Sequence, residues 1–395
     1  MEKLTVVILA SILLCACGNQ PQSNNLALEL SDTEIICIES SSPHQIRADK
    51  GKIISTKELL SMIQSIDYIK LDSSDPIGTI NKMIVTKDKI FILDAHIAQR
   101  IFVFDKTGKL LFRIKNKGRG PKEYLSVDDM QVDTIRNEIL VNDALARSYL
   151  YFSINDGAFL RREKGIANCY VTRIDSLYVN YQIPGQDFND KENWAILVTN
   201  KDSILYKGFE PMPLQDDNFI INSFTYDHDG KLLFTPVYSD TVYRFTSACV
   251  VQPEYVICQK KSIWTLYDQR ISPLEVDKLI KQNNYTRYDG KFLSAENYAS
   301  FEIAHKWDQY ITPEPCFWDK RTDIVYKWDI TAIEELPVIR DIIQRPIAVY
   351  NNTFFGTFSP QIPEEYRKAL NPKIKSLLEC SEESDNPIVV LYTLK

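Results

Sequence analysis

"DKIFILDAHIAQRIFVFDKTGKLLFRI" at residues 88–114 and "NEILVNDALARSYLYFSINDGAFLRRE" at residues 137–163 follow one plan. In each, an alternating strand ends in Asp-Ala, a short loop leads to a strand with aromatic residues, and an Asp-containing turn with Gly leads to a further strand. Asp94 and Asp143 hold equivalent positions, 49 residues apart. A period of about 40–50 residues made of four short strands is typical of a β-propeller blade. The repeat therefore predicts an all-β propeller.

Weaker copies of the blade pattern follow at residues 228–245 and 315–330, where Asp-containing turns again separate short strands. The 329 residues from Asp67 to Lys395, less the 34 of the helical insertion described next, correspond to about six periods of 49. We therefore expect a six-bladed β-propeller over residues 31–395. Because a propeller leaves an open edge unless its first and last blades share a sheet, the β-forming segments 67–72 and 386–395 should lie in one blade.

Three segments have helical signatures instead. "SPLEVDKLIKQNN" begins with Ser272 as N-cap, Pro273 at the first helical position and Glu275 completing a capping box, which predicts a helical insertion at about residues 272–305. A second capped helix is expected over residues 55–66, and a third over residues 363–370.

The first residues carry an export signal. The apolar run Leu4–Ala16 is too short to span a hydrocarbon core about 30 Å thick, so residues 1–16 are interpreted as a signal peptide. Its end, Leu14-Cys15-Ala16-Cys17, resembles the lipobox of bacterial lipoproteins, which implies that Cys17 becomes the acylated first mature residue. The stretch 18–25 after Cys17 is polar, and residues 17–30 would form a flexible tether. No acidic run follows Cys17, so we expect an outer-membrane lipoprotein that faces the periplasm.

The composition limits the classes of partner, metal and cofactor that the chain is expected to bind. A net charge of −7 argues against nucleic acid. Six cysteines remain after Cys15 and Cys17, and the sequence does not choose among their pairings. The chain has no CxxC and no HxxxH, and its four histidines are isolated, so no metal site is predicted. No cofactor is expected: the loops 227–230 and 187–193 resemble calcium ligand sets, but a hairpin turn and a solvated loop are the favoured interpretations.

The glycine-rich stretch "NKGRGPKEY" at residues 116–124 invites a phosphate-loop interpretation. A phosphate loop requires a helix after its glycines, whereas Tyr124 is followed by a strand pattern. We therefore interpret the stretch as a connection between blades, in which Gly118 and Gly120 supply positive φ and Pro121 fixes an extended entry.

"GRGPKEY", "IKLDSSDPIGTINKM" at residues 69–83, "YSDTVYRF" and the closing "DNPIVVLYTLK" together resemble the six-bladed β-propeller lipoproteins of Gram-negative gut-type bacteria, which are distantly similar to NHL-repeat propellers. The resemblance covers nearly the whole mature chain and implies the same fold and anchor. It implies no chemistry, and NHL-type site residues do not carry over, because the loop after Asp94 reaches Arg100 one residue late and the second copy has Tyr149 there.

Three functional classes remain open. The first is a non-catalytic binding or scaffold module for a glycan, peptide or envelope protein; the second is a lyase or hydrolase with an axial site; the third is a structural accessory of an envelope complex. Few histidines and no catalytic motif favour the first and third. The sequence leaves the oligomeric state open.

The candidate binding face follows from the repeat. Loops that join an outer strand to the next inner strand, and loops after the second strand, share one face of a propeller. We expect Arg119 to meet a carboxylate or hydroxyl-rich group and Tyr124 to offer an aromatic surface there, with Asp94, His96 and Asp143 beside them. The alternative is that Arg119 pairs with an Asp of a neighbouring blade and Tyr124 packs as a wedge.

Overall fold

The computed structural model describes residues 33–166, 170–182, 194–209, 223–236, 239–269, 273–330, 343–362, 367, 370–379 and 385–395. They form six β-sheets arranged as the blades of a propeller, so the predicted fold class is confirmed. In chain order the amino-terminal elements are β1 (Glu34–Ile35), β2 (Cys37–Ile38), β3 (His44–Ile46), a 3₁₀ turn (Ala48–Lys50), β4 (Lys52–Ile54), α1 (Thr56–Met62) and β5 (Ile63–Lys70).

The first three blades each contain an antiparallel four-stranded meander. Blade 1 comprises β6 (Lys82–Val85), β7 (Lys89–Asp94), β8 (Arg100–Asp105) and β9 (Leu110–Ile114). Blade 2 comprises β10 (Asp129–Asp133), β11 (Glu138–Asp143), β12 (Ser148–Ser153) and β13 (Phe159–Lys164). Blade 3 comprises β14 (Tyr170–Ile174), β15 (Leu177–Tyr181), β16 (Ile196–Thr199) and β17 (Ile204–Gly208).

Helices are added in the second half of the ring. Blade 4 comprises β18 (Phe224–Tyr226), β19 (Leu232–Phe234), β20 (Thr241–Ser247) and β21 (Val250–Ile257). A 3₁₀ helix (Ile263–Gln269) and α2 (Pro273–Asn283) precede blade 5, which comprises β22 (Arg287–Tyr288), β23 (Leu293–Ser294), β24 (Tyr298–Trp307), β25 (Tyr310–Asp319) and β26 (Ile324–Trp328). Blade 6 contains β27 (Ala348–Tyr350), β28 (Thr353–Phe358), α3 (Pro372–Glu379) and β29 (Ile388–Leu394).

The amino-terminal segment forms a belt around half of the ring. It adds β1 to the outer strand of blade 3, β2 and β3 to that of blade 4, and β4 to that of blade 5, each in parallel orientation. It then enters blade 6, where β5 pairs antiparallel with β29 and Tyr68 lies opposite Val390. The predicted closure of the ring by segments 67–72 and 386–395 is therefore confirmed.

Burial explains why the strands read as apolar runs. The middle strands β7 and β8 have a neighbouring blade on both faces, and their central residues are buried without alternation. One of the resulting clusters joins Phe91 and Val103 of blade 1 to Met130 and Phe152 of blade 2. Apolar packing between adjacent blades is thus the main source of stability in the ring.

Two helix predictions need correction. The helix predicted over residues 55–66 has its Ser55–Glu58 capping box but ends at Met62. Residues from Ile63 onward are extended because β29 recruits them as the outer strand of blade 6. The insertion predicted at about 272–305 is helical only over Pro273–Asn283, since Tyr298–Trp307 is the long second strand of blade 5. The helix predicted at residues 363–370 falls almost wholly outside the described residues, and α3 was not predicted.

The innermost strands surround the axis. The strands β6, β10, β14, β18, β23 and β27 contact one another in sequence and close the ring. Five of them stand at the end of their sheets and have a hydrogen-bonded neighbour on one side, whereas β23 pairs with β24 beside β22. Backbone donors and acceptors of these free edges therefore face the axis.

Candidate functional site

The expected binding face is the upper face of the propeller, which carries the blade-to-blade connections and the loops between second and third strands. Asp94 and Asp143 lie there at the ends of β7 and β11, and both are 0% exposed. Asp94 accepts hydrogen bonds from the backbone N–H groups of Gly78 (2.7 Å) and Thr79 (3.0 Å). Burial alone would raise the pKa of Asp94, but the backbone N–H groups outweigh it and hold that pKa below its ordinary value.

Asp143 repeats this arrangement one blade later. It accepts hydrogen bonds from the backbone N–H groups of Leu125 (2.9 Å) and Ser126 (3.1 Å). These two residues lie in the connection just before β10, the inner strand of the same blade. Asp143 also accepts a hydrogen bond from Ala146 (3.0 Å), as Asp94 does from Ile97 (2.9 Å). Each repeated Asp therefore bonds the loop that follows its own strand to the connection that precedes the inner strand of the same blade. Neither carboxylate is exposed to a ligand.

Tyr124 is also internal. Its side chain is 0% exposed and packs in the core between blades 1 and 2. Its hydroxyl donates to the backbone carbonyl of Gln99 at 2.8 Å. Burial raises the pKa of this phenol. The expected aromatic surface is absent here, and Tyr124 is the wedge of the alternative interpretation.

The Glu123 side chain folds back against the glycine-rich connection and bonds to its backbone. The Glu123 carboxylate accepts the N–H of Gly120 at 2.7 Å, and a Cβ on Gly118 would lie 2.1 Å from the same carboxylate. Neither glycine adopts a positive φ, contrary to expectation. They are required instead because the Glu123 side chain folds back against their backbone.

Arg119 is exposed and lies at the edge of a recess of about 510 Å³. We call this the basic recess; its polar and charged lining is Arg119, Glu123, Arg147, Ser148, Arg162, Glu163 and Lys164. Among the described residues, no carboxylate lies within 4.0 Å of Arg119, Arg147 or Lys164. Arg162 is bonded to Asp143 (3.2 Å), and Glu163 is bonded to Arg161 and Tyr178. Three cations therefore share one recess without an ion pair, and they outnumber Glu123, the lining carboxylate that has no cationic partner within 4.0 Å among the described residues.

Exposed apolar side chains lie on the loops that follow Asp94 and Asp143. Leu145, two residues before Arg147, is 73% exposed, and Ile97 on the equivalent loop of blade 1 is 66% exposed. His96 is exposed on that loop but does not line the recess. The repeat placed Arg119 on the same face as the loop that follows Asp143, as the structure has it, but it did not single out Arg147 or Lys164. Arg147 could have been found from its place in the loop that follows Asp143.

The axis holds a second polar region. A cavity of about 310 Å³ runs along it, and its polar lining includes Lys82, Gln131, Thr225 and Lys291. A second cavity of about 370 Å³ opens beside it, and Lys82 and Lys291 line both. Lys82 is bonded to Asp129 at 2.7 Å. No sequence pattern pointed to these residues, because Lys82, Gln131 and Thr225 lie on inner strands of three different blades and Lys291 lies in the turn before β23 of a fourth.

The remaining sequence candidates have structural roles where they are described. Residues 227–230 form a hairpin turn in which Asp227 accepts the N–H groups of Asp229 and Lys231. Loop 187–193 lies outside the described residues. Cys37, Cys249, Cys258 and Cys316 are free thiols.

The described residues contain no group of three His, Cys, Asp or Glu side chains arranged to hold a metal ion. No helix in the same part of the chain has the length and apolarity needed to cross a membrane.

Solved structures share the architecture. A protein of Bacteroides fragilis described as exported has 16% identity and a TM-score of 0.68, over 89% of this chain and 99% of its own. A member of the duf4221 family from Bacteroides vulgatus has 11% identity and a TM-score of 0.51, over 84% and 97%. At these identities the likeness establishes the fold alone.

Similarity to proteins of known activity is weaker. Virginiamycin B lyase from Staphylococcus aureus has 11% identity and a TM-score of 0.39 over 84% of this chain and 99% of its own, which is too low to bear on chemistry. No curated protein matches the chain. A family model described as a domain of unknown function, DUF4934, matches residues 48–393, and the chain therefore belongs to that family.

Proposed function

We propose that this protein is a lipid-anchored propeller of the outer membrane, facing the periplasm, which binds an acidic, partly apolar segment of an envelope protein in the basic recess. The lipobox ending at Cys17 supports the anchor, and the similar Bacteroides fragilis protein is described as exported. The observation that carries the binding proposal is the set of three cations, Arg119, Arg147 and Lys164, which share one recess without carboxylate partners.

Charge supports an acidic ligand. The chain as a whole carries a net charge of −7, so a local cationic recess is the place to which an acidic group is steered. A single exposed ion pair contributes only about 0.2–1 kcal/mol, so three cations alone give weak binding. Burial of the exposed Leu145 and Ile97 against the partner would add to this, at about 25 cal/mol per Å² of apolar area.

The same contacts favour a peptide over a glycan. Sugar rings are commonly held against exposed aromatic faces, and Tyr124, the aromatic residue expected here, is buried. A protein segment with Asp or Glu beside Leu, Ile or Val matches both features of this face.

Binding is also favoured over catalysis. The recess carboxylates Glu123 and Glu163 are both engaged in internal hydrogen bonds, to Gly120 and to Arg161 and Tyr178. Glu163 is therefore occupied, and Glu123, which uses one oxygen for Gly120, has no histidine and no second free carboxylate beside it among the residues that line the recess.

Fluorescence anisotropy with a labelled Glu/Leu peptide tests the proposal. Parent protein should bind saturably, more weakly at high salt, and the Arg119→Gln/Arg147→Asn double variant should bind at least tenfold more weakly. Asn suits position 147 because its φ is +49°. Lys87→Gln/Lys109→Gln, an equal loss of two exposed charges on the lower face, is the control. A folded double variant that binds like the parent would refute the recess, and tighter binding of polygalacturonate would replace the peptide by a glycan.

A further inference from the structure

Lys291 differs from the other cations around the axis. Lys82 is bonded to Asp129 (2.7 Å), Arg345 to Glu302 (3.0 Å) and Arg287 to Asp289 (2.6 Å). Among the described residues, Lys291 has no carboxylate within 4.0 Å, and its ammonium donates only to the carbonyl of Pro346, at 3.2 Å. The axial region therefore contains one cation without a countercharge.

A second unsatisfied donor lies in the same cavity. Gln131, on the inner strand of blade 2, lines the 310 Å³ cavity with Lys291 of blade 5, and its buried Nε2 has no hydrogen-bond partner among the described residues. An unpartnered buried donor is costly, so its retention in a folded protein calls for an explanation. The free edges of the inner strands add further backbone donors and acceptors around this space.

We propose that the axial cavity is a second ligand site, separate from the basic recess, for a small hydroxylated carboxylic acid such as a sugar acid. Its carboxylate binds Lys291 Nζ, and a hydroxyl accepts from Gln131 Nε2. The volume is at the small end of ligand pockets, which span about 300–1,000 Å³, and suits a ligand of monosaccharide size. The lining also contains Thr225 and Ser294, whose hydroxyl groups can bond to ligand hydroxyls, and apolar side chains such as Met83, against which the ligand carbons can pack.

The charge state of Lys291 agrees with this assignment. Burial lowers its pKa to about 8; Glu302 of β24 opposes this shift, and Arg345 at the start of blade 6 reinforces it. The amine is therefore mainly protonated at pH 7, and an added carboxylate would restore the missing countercharge. Other charged groups lining the two cavities are Lys82, Asp227, His228 and Asp289. Affinity should decrease as the pH rises above about 8, because the amine loses its proton.

Titration calorimetry with D-galacturonate, and with D-galactose as its neutral counterpart, tests the site. Purified protein should bind the acid saturably and galactose at least tenfold more weakly. Lys291→Gln keeps a hydrogen-bond donor but carries no charge, and should weaken galacturonate binding at least tenfold. Lys109→Gln should leave it unchanged. Equal binding of both sugars, or no binding of the acid, would overturn the proposal.

Gln131→Leu separates a ligand-binding role from a structural one. Because it removes an unpartnered buried donor, the variant should melt at the same temperature as the parent or higher, yet bind galacturonate several-fold more weakly. If Lys291→Gln fails to fold, galacturonate binding by Gln131→Leu still tests whether the axial cavity is the ligand site. Unchanged binding by folded Gln131→Leu, or by folded Lys291→Gln, would refute the site.

The two sites are distinguished by crossing the assays. The Arg119→Gln/Arg147→Asn variant should retain galacturonate binding, and Lys291→Gln should retain the acidic peptide. Loss of galacturonate binding in the folded recess variant would contradict a separate axial site.

Discussion

The carboxylate of Asp129 joins three consecutive blades, and its neutralisation should destabilise the ring. It accepts from Lys82 Nζ of blade 1 (2.7 Å) and from the backbone N–H of Val171 in blade 3 (3.1 Å), while its own strand belongs to blade 2. Asp129 is 0% exposed and the Lys82 side chain 7%. Burial raises the pKa of Asp129, and Lys82 with the backbone N–H groups of Val171 and Met130 opposes the rise.

Asp129→Asn keeps the size of the side chain but removes its charge. The carboxylate offers one oxygen to Lys82 and the other to Val171, whereas the amide of Asn has a single oxygen, so one of these two hydrogen bonds is lost. The Lys82 ammonium also becomes a buried cation without a countercharge. Removal of one partner of a buried ion pair costs about 3–5 kcal/mol. We expect a decrease of that size in the free energy of unfolding, and a similar decrease for Lys82→Met.

The double variant measures the coupling. Lys82→Met/Asp129→Asn buries neither charge, so its loss should be at least about 2 kcal/mol smaller than the sum of the single losses. Urea unfolding followed by tryptophan fluorescence gives the free energies. Lys373→Met, which breaks the half-exposed pair with Asp67, should cost less than about 1 kcal/mol. Single losses below about 1 kcal/mol, or losses that add within about 0.5 kcal/mol, would refute the reasoning.

Four further predictions concern stability and location. Burial raises the pKa of Asp240 to about 6 against an ordinary 3.8, so the folded state holds its proton longer and the free energy of unfolding should fall by about 2 kcal/mol as the pH rises from about 4 to 6. Asp240→Asn, which keeps an oxygen for Gln259, should flatten that part of the stability curve; an unchanged slope would contradict it. Cys17→Ala should release the protein from washed membranes, and its retention there would exclude the lipid anchor. Deletion of residues 386–395 removes the strand between β28 and β5 and should abolish cooperative unfolding, whereas a truncated chain that melts like the parent would disprove closure in blade 6. Tyr124→Phe should lower the melting point by the equivalent of about 1 kcal/mol without weakening peptide binding, and weaker binding by the folded variant would return Tyr124 to the ligand site.

The architecture could be predicted from local patterns in the sequence. Apolar runs separated by Asp-containing turns repeat between residues 88–114 and 137–163 with a spacing of 49 residues, and that spacing applied to the whole chain predicts the six blades that are observed. The terminal β-forming segments were matched because an open sheet edge has to be covered. These features are readable because strand propensity, turn chemistry and chain length are properties of contiguous residues.

Tertiary structure alone decided what the side chains do. Residues 63–66 have a helical pattern, yet they are extended because pairing with β29 outweighs local propensity. The two repeated Asp residues were predicted to bind a ligand, but their carboxylates instead accept hydrogen bonds from backbone N–H groups of the preceding connections. The sequence contains both partners of such contacts but not the distance between them.

The candidate sites show the same division. The repeat correctly assigned Arg119 to the upper face, but only the folded ring places it in one recess with Arg147 and Lys164. At the axis, Gln131 and Lys291 are 160 positions apart in sequence, yet they line one cavity because the ring sets blades 2 and 5 on opposite sides of it. Repetition therefore determined the six-bladed framework, while ring closure, which brings distant inner strands together, decided which charges remain unpaired.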